Sequence, residues 1–154
     1  MSFPKDELAF GLGLLGTVLG VINLWRTFDR DRVKLRVTPK VAYPVNMGDD
    51  RPRLCVEVVN LSTFPVTVSD VGFTVWFSRS RMAIIDPILL DRKPWPRRLE
   101  PREAFTVYCS PSLAGEPGLQ RVRRAYAKTD CGETRYGRSK GLRHYIGEAA
   151  KETS

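Results

Sequence analysis

From Leu8 to Trp25 the chain runs for 18 residues without a charged side chain, LAFGLGLLGTVLGVINLW. At about 1.5 Å per residue a helix of this length spans about 27 Å, close to the hydrocarbon thickness of a bilayer. Leu8, Phe10, Leu14, Leu15, Val18, Leu19, Ile22 and Trp25 supply its apolar surface, and Trp25 stands where an interfacial aromatic belongs. A cleaved signal peptide needs a basic start and a small-x-small cleavage site; here Lys5 is followed by Asp6 and Glu7, and the span ends in Asn-Leu-Trp-Arg. Burial in a water-soluble core would cost about 0.5–1 kcal/mol, relative to Ala, at each of Gly11, Gly13, Gly16 and Gly20. In lipid, glycine is common and lets helices approach closely. The span therefore reads as a transmembrane helix. Ala9, Gly13 and Thr17 form one line of small residues and Gly16 and Gly20 another, the spacing through which helices dock in lipid, so a homo-oligomer through this helix is one expectation.

Flanking charge sets the orientation. Arg26, Arg30, Arg32, Lys34, Arg36 and Lys40 come after the span, against Asp29 and Asp31. The positive-inside rule then places the C-terminal side in the cytoplasm, with residues 1–7 as an outer tail on an inner (plasma) membrane. The whole chain has 25 Lys+Arg, 17 Asp+Glu and a net charge of +8; residues 26–154 alone hold 24 and 15, a net +9. Residues 26–32 are a basic juxtamembrane stretch, either a continuation of the helix or a short linker.

The remainder has strand periodicity. Val33–Val37 alternates, and Pro39 and Pro44 confine their neighbourhood to a sheet edge or an irregular stretch. Residues 47–52 are a turn cluster. Leu54, Val56 and Val58 share one face of Arg53–Val59. Val66–Val68 is a short run, and Val71–Phe77 places Val71, Phe73, Val75 and Phe77 together. Ala83–Leu90 is apolar but broken by Pro87, and Ala104–Tyr108 is a compact strand. Val122–Lys128 and Thr134–Tyr136 flank the Thr129–Gly132 turn as a hairpin. Ser139–Ala150 is a helix candidate with Leu142, Tyr145 and Ile146 on one face. A hydrophobic content of 42% suffices for one core and excludes disorder. Short strands at about ten-residue spacing point to an antiparallel β-sandwich over residues 33–138, with a short helix and tail at 139–154.

The run Val56–Val68 (VEVVNLSTFPVTV), with Leu99–Val107 (LEPREAFTV) after it, resembles bacterial immunoglobulin-like modules. In those, a strand ending V-x-N-x-S turns through a proline into V-T-V, and an L-x-P-x-x-x-F-x-V segment opens a later strand. The likeness covers residues 33–136, and the whole layout resembles bacterial membrane-anchored immunoglobulin-like β-sandwich proteins. The antibody pattern departs: Trp76 comes 21 residues after Cys55, and Val107, not tyrosine, stands two before Cys109.

Catalytic signatures are missing from the sequence. There is no G-x-S-x-G, H-E-x-x-H or Gly-rich phosphate loop, and His144 is the single histidine. Cys55, Cys109 and Cys131 lack the C-x-x-C spacing of a zinc site and are expected as free thiols, with Cys55 facing a core. Asn60-Leu-Ser62 matches a glycosylation sequon, but its expected task is the turn itself. Arg outnumbers Lys 18 to 7. The expected basic interaction patch joins Arg92, Lys93, Trp95, Arg97 and Arg98 to Arg121, Arg123 and Arg124, with Arg135, Arg138, Lys140 and Arg143 beyond them. Arginine pairs bidentately with phosphate, and Trp95 between two prolines is placed to dip into headgroups. Anionic inner-leaflet lipid is the first expected partner, an acidic protein the second, and a nucleotide or nucleic acid the last; the alternative is an ordinary solvated surface.

These features together describe a single-pass, membrane-anchored, non-catalytic interaction or scaffold module at the cytoplasmic face, with no cofactor or metal. The alternatives are a ligand-gated effector, whose basic β-domain senses an anionic small molecule while its helices oligomerise, and an exported, signal-anchored β-sandwich. Removing residues 1–25 is expected to release a soluble chain with a β-rich circular dichroism spectrum. Unfolding or aggregation of that chain would assign the helix to the core instead.

Overall fold

The computed structural model describes residues 5–43, 52–75, 81–85, 87–91, 93–110, 113 and 118–152. The expected turn at 47–52 (apart from Pro52), the strand end at Trp76 and Phe77, and Arg92 lie outside the described residues, as do the side chains of Leu8 and Ala9. The chain divides into two compact units at Arg32/Val33.

The first unit is one helix, α1 (Lys5–Arg30), which at about 1.5 Å per residue is about 39 Å long. It overruns the uncharged span at both ends, so most of the basic stretch after Trp25 is helical. The Thr17 hydroxyl donates to the Gly13 carbonyl at 2.9 Å and that of Thr27 to the Asn23 carbonyl at 3.0 Å. Both hydroxyls are thus satisfied within the helix.

The second unit is mainly β. In chain order its elements are β1 (Leu35–Ala42), β2 (Arg53–Asn60), β3 (Val66–Val75), β4 (Arg81–Ala83), β5 (Arg97–Leu99), β6 (Ala104–Tyr108), β7 (Val122–Thr129), β8 (Thr134–Gly137) and α2 (Lys140–Glu152). They form two antiparallel sheets, one ordered β1-β2-β6 and the other β4-β3-β7-β8, with β5 paired to the first half of β3. Register places Val37 beside Val58 and Val58 beside Phe105, so one face of the first sheet is continuously apolar. These residues and the inward face of the second sheet (Val68, Val71, Phe73, Ala125, Ala127) belong to one hydrophobic cluster.

β1 runs through Pro39 as the outer strand of its sheet, the edge position expected for it. Two apolar runs differ from expectation for a physical reason. Val66–Val75 is one strand, not two. Its inward residues change parity from Val66 and Val68 to Val71 and Phe73, and the register shift between Val68 and Asp70 absorbs the extra residue. Among its described residues the apolar run at 83–90 contributes only the end of β4 and a single bridge, Ile88 with Tyr108. The hairpin β7–β8 and the helix α2 form as expected, and Leu142 and Tyr145 are buried in the core. Close approach demands glycine at residue 137: a Cβ there would collide with the carbonyl oxygen of Val37, which brings β8 against β1.

The corner after β2 is pinned by Asn60, which is 0% exposed. Its side-chain amide donates to the carbonyls of Phe64 (2.9 Å), Leu99 (3.1 Å) and Glu100 (3.3 Å). Its Oδ1 accepts from the Ser62 N–H at 2.9 Å, and the Ser62 hydroxyl accepts from the Lys34 N–H at 2.8 Å. The sequon residues therefore do build the turn. Asn60→Ala leaves these buried groups unpaired, so a loss of about 2–4 kcal/mol is expected in urea unfolding of the full chain in non-ionic micelles. Asn60→Asp, which keeps the acceptor but not the donors, is expected to lose at least as much.

Candidate functional site

Among the described residues one helix, α1, is long and apolar enough to cross a membrane. Its described side chains are exposed, including Phe10, Leu14, Leu15, Val18, Leu19, Ile22 and Trp25. A Cβ added at Gly13, Gly16 or Gly20 would meet no atom within 4 Å, so this face is open.

The loop around Trp95 is built differently from the expected basic patch. Trp95 is half-buried and packs edge-on against Phe105, with ring centroids 6.0 Å apart, so it is not a free headgroup probe. Arg97 is 4% exposed, and its Nη2 lies 2.8 Å from Asp91 Oδ2 and 3.1 Å from Glu103 Oε1. Lys93 Nζ approaches the same Glu103 oxygen at 3.5 Å, and Arg98 Nε pairs with Glu100 at 3.2 Å. The acids that flank the run in sequence, Asp91, Glu100 and Glu103, thus fold back onto its cations, and a buried guanidinium requires such partners. Arg97 is a structural ion pair, not a surface charge. The Glu103 carboxyl is held below its ordinary value of 4.5, first by the Glu100 N–H donating to it and then by Lys93 and Arg97, with burial opposing.

The second cluster sits at an irregularity of β7: the register with β3 shifts between Thr74, paired with Arg124, and Val75, paired with Val122, so Arg123 is the extra residue, and Arg121, Arg123 and Arg124 are all exposed. Arg123 shares a cleft with two arginines that follow the hairpin in the chain. Arg123, Arg138 and Arg143 line one cleft of about 310 Å³ together with Gln120, Val122, Ser139, Leu142 and Ile146. β7 supplies Arg123. The segment leading from β8 into α2 supplies Arg138 and Ser139, and the first turns of α2 supply Leu142, Arg143 and Ile146. Ser139 caps that helix, its hydroxyl accepting from the Leu142 N–H at 3.0 Å. The floor is apolar, since Val122 and Leu142 are buried. Among the described residues no carboxylate lines the cleft, and neither Arg138 nor Arg143 has an ion-pair partner. Arg135, by contrast, lies 3.5 Å from Glu133 and donates to the Val33 carbonyl at 3.0 Å.

Cys55 is buried, but on the face opposite Leu54, Val56 and Val58, because adjacent strand residues cannot share a face; Cys109 joins the core cluster instead. Burial, and secondarily Cys55, pushes the Cys109 thiol up to about 12. Cys131 is exposed, and all three thiols are free. His144 is exposed on α2, 3.1 Å from Glu148. Tyr126 escapes sequence reasoning because it alternates out of phase with Ala125 and Ala127, yet it is 0% exposed. It sits opposite Gly72 in the register, donates to Asp70 at 2.9 Å and lies under the Arg81 guanidinium.

A scan against protein-family models, a search of curated proteins and a search of solved structures each return no match. The site therefore rests on its own geometry.

A carboxyl with a depressed folded pKa contributes stability that is complete above its unfolded value and is lost as pH falls through the folded one. Between about pH 6 and about pH 3 the wild-type chain is therefore expected to lose more stability than Glu103→Gln, in urea unfolding at each pH. Equal slopes would remove Glu103 from the network.

Proposed function

We propose that the chain is a single-pass membrane-anchored, non-catalytic recognition module, with α1 in the inner membrane and an immunoglobulin-like β-sandwich at the cytoplasmic face. The observation that carries this reading is the division of the chain: one exposed helix with an uncharged 18-residue span, and a β unit with a core of its own. The strand order supports the immunoglobulin-like description. Lettered along the chain with β5 set aside, β1-β2-β6 is A-B-E and β4-β3-β7-β8 is C′-C-F-G, the partition of that sandwich. The basic residues after the span support the cytoplasmic orientation. Anionic lipid or an acidic protein is the partner class that the net charge favours.

A second reading is favoured by the carboxylate-free cleft. In it the β unit senses an anionic small molecule, and the open glycine face of α1 associates with further copies.

Cys131, the exposed thiol, tests the orientation. A membrane-impermeant maleimide added to intact bacterial cells is expected to leave the chain unlabelled. Permeabilised cells should give one label per chain, lost in Cys131→Ser. Labelling of intact cells would reverse the topology and favour an exported domain.

A further inference from the structure

In an antiparallel ladder alternate residues of a strand bond to one neighbour, and those between them face the other way. The Asn60 N–H donates to the Glu103 carbonyl and the Cys109 N–H to the Leu54 carbonyl, so Glu103, Phe105, Val107 and Cys109 are the residues that bond to β2. The N–H and C=O groups of Ala104, Thr106 and Tyr108 therefore point away from it. The Tyr108 N–H donates to the Ile88 carbonyl at 3.1 Å, the one described bridge on that side. Among the described residues, Ala104 and Thr106 have no backbone partner there, and β6 ends its sheet. A constant-type immunoglobulin sandwich carries a further strand at this place, D beside E. Here the apolar run begins to supply it at Ile88 and turns away at Leu90.

Other outer strands are guarded against pairing. β1 carries Arg36, Pro39 and Lys40 and has β8 drawn against it at Gly137, and β4 is three residues long. β6 (AFTVY) has neither charge nor proline, and apart from Ala104 it consists of strong β-formers. The side chains exposed next to it are aliphatic: Ile88, at the bridge, is 39% exposed, and Leu90, two residues on, is 64% exposed. Leu89 and Trp95 pack on the core cluster, Trp95 against Phe105, so the interior behind the edge is filled by the chain itself. What the edge lacks is a backbone to pair with and an apolar cover for Ile88 and Leu90.

We infer that the open edge of β6 is a strand-addition site for a protein partner, an extended and largely aliphatic segment that pairs with Ala104 and Thr106 and lays side chains on Ile88 and Leu90. Extended backbone is the chemistry that satisfies alternating N–H and C=O groups along a strand; a lipid headgroup or a small anion does not offer it. The inference rests on the recognition-module reading and deepens it by naming the surface and the class of partner.

The full chain is placed in phosphatidylcholine nanodiscs, and a displayed library of short random peptides is selected on it. Peptides rich in aliphatic residues and free of proline are expected to enrich, and these are synthesised as probes. N-methylation scanned along a probe should weaken binding at alternate positions, since only every second amide faces β6. Thr106→Pro removes a donor that faces away from β2, so the pairing with β2 is kept; it is expected to weaken probe binding about 10-fold or more. Ala104→Pro acts in the same way, and Leu90→Asp weakens binding through the aliphatic rim alone. Thr106→Val, which keeps both backbone groups, should bind far more tightly than Thr106→Pro. Circular dichroism checks that each variant is folded, and the N-methyl scan tests the same point without altering the protein. The Ala104 and Thr106 amides should exchange hydrogen rapidly in the free chain and slowly with a probe bound. Slow exchange in free discs carrying one chain would mean that another segment of the chain holds the edge, and slow exchange only in discs carrying two chains that a second copy does. Either result overturns the inference, as does the failure of any peptide to enrich. Probes that survive both proline variants and show no alternation also overturn it, while leaving the recognition-module reading in place.

Discussion

The side chain of Asn60 is where the β unit is tied together. One buried amide donates to carbonyls of the turn that leads into β3 and of the segment that joins β5 to β6, while its oxygen orders Ser62. Ser62 in turn holds the entry to β1 through the Lys34 N–H. β1, β2 and β6 belong to one sheet, β3 and β5 to the other, so the network spans the corner at which the chain changes sheets. Hydrophobic burial drives the two apolar faces together but is indifferent to direction. A fully satisfied polar group in the interior is directional, and it selects one arrangement among many of similar buried area.

That corner also governs the cations. β5 comes directly after the Trp95 loop, and pairing it to β3 turns Arg97 inward, where Asp91 and Glu103 neutralise it. Charge that is conspicuous in the sequence is thereby consumed in structure. On the opposite flank, the hairpin β7–β8 and the helix α2 draw Arg123, Arg138 and Arg143 together, and no described acid lines the cleft they form.

Much of the fold is legible from periodicity. The inward face of β2, the strand β6, the hairpin over Thr129–Gly132 and the apolar face of α2 emerge from spacing, because each is a local pattern. β3 reads as two runs because its bulge reverses the parity of inward residues, and a bulge is settled by the partner strand. β5 is invisible to such reading, since Arg97 and Arg98 carry no apolar alternation and the strand is held by β3 and by the Asn60 corner. The candidate site is only partly legible. Arg138 and Arg143 stand in a recognisable basic run, but nothing in their spacing joins them to Arg123.

What the sequence determined by itself is the division of the chain and the chemistry of each part. An 18-residue uncharged stretch has helical length for a bilayer whatever else the chain does, and a net +9 lies beyond it. Alternation of apolar residues likewise decides which side of most strands faces inward. Tertiary structure decided which cations are neutralised and which are gathered, which face Cys55 takes, and that Tyr126 is buried beneath Arg81 on the outer side of its sheet. The reason is distance: ion pairing, burial and cleft formation depend on separations in space between residues far apart in the chain, and those separations are set only when the two sheets close on one core.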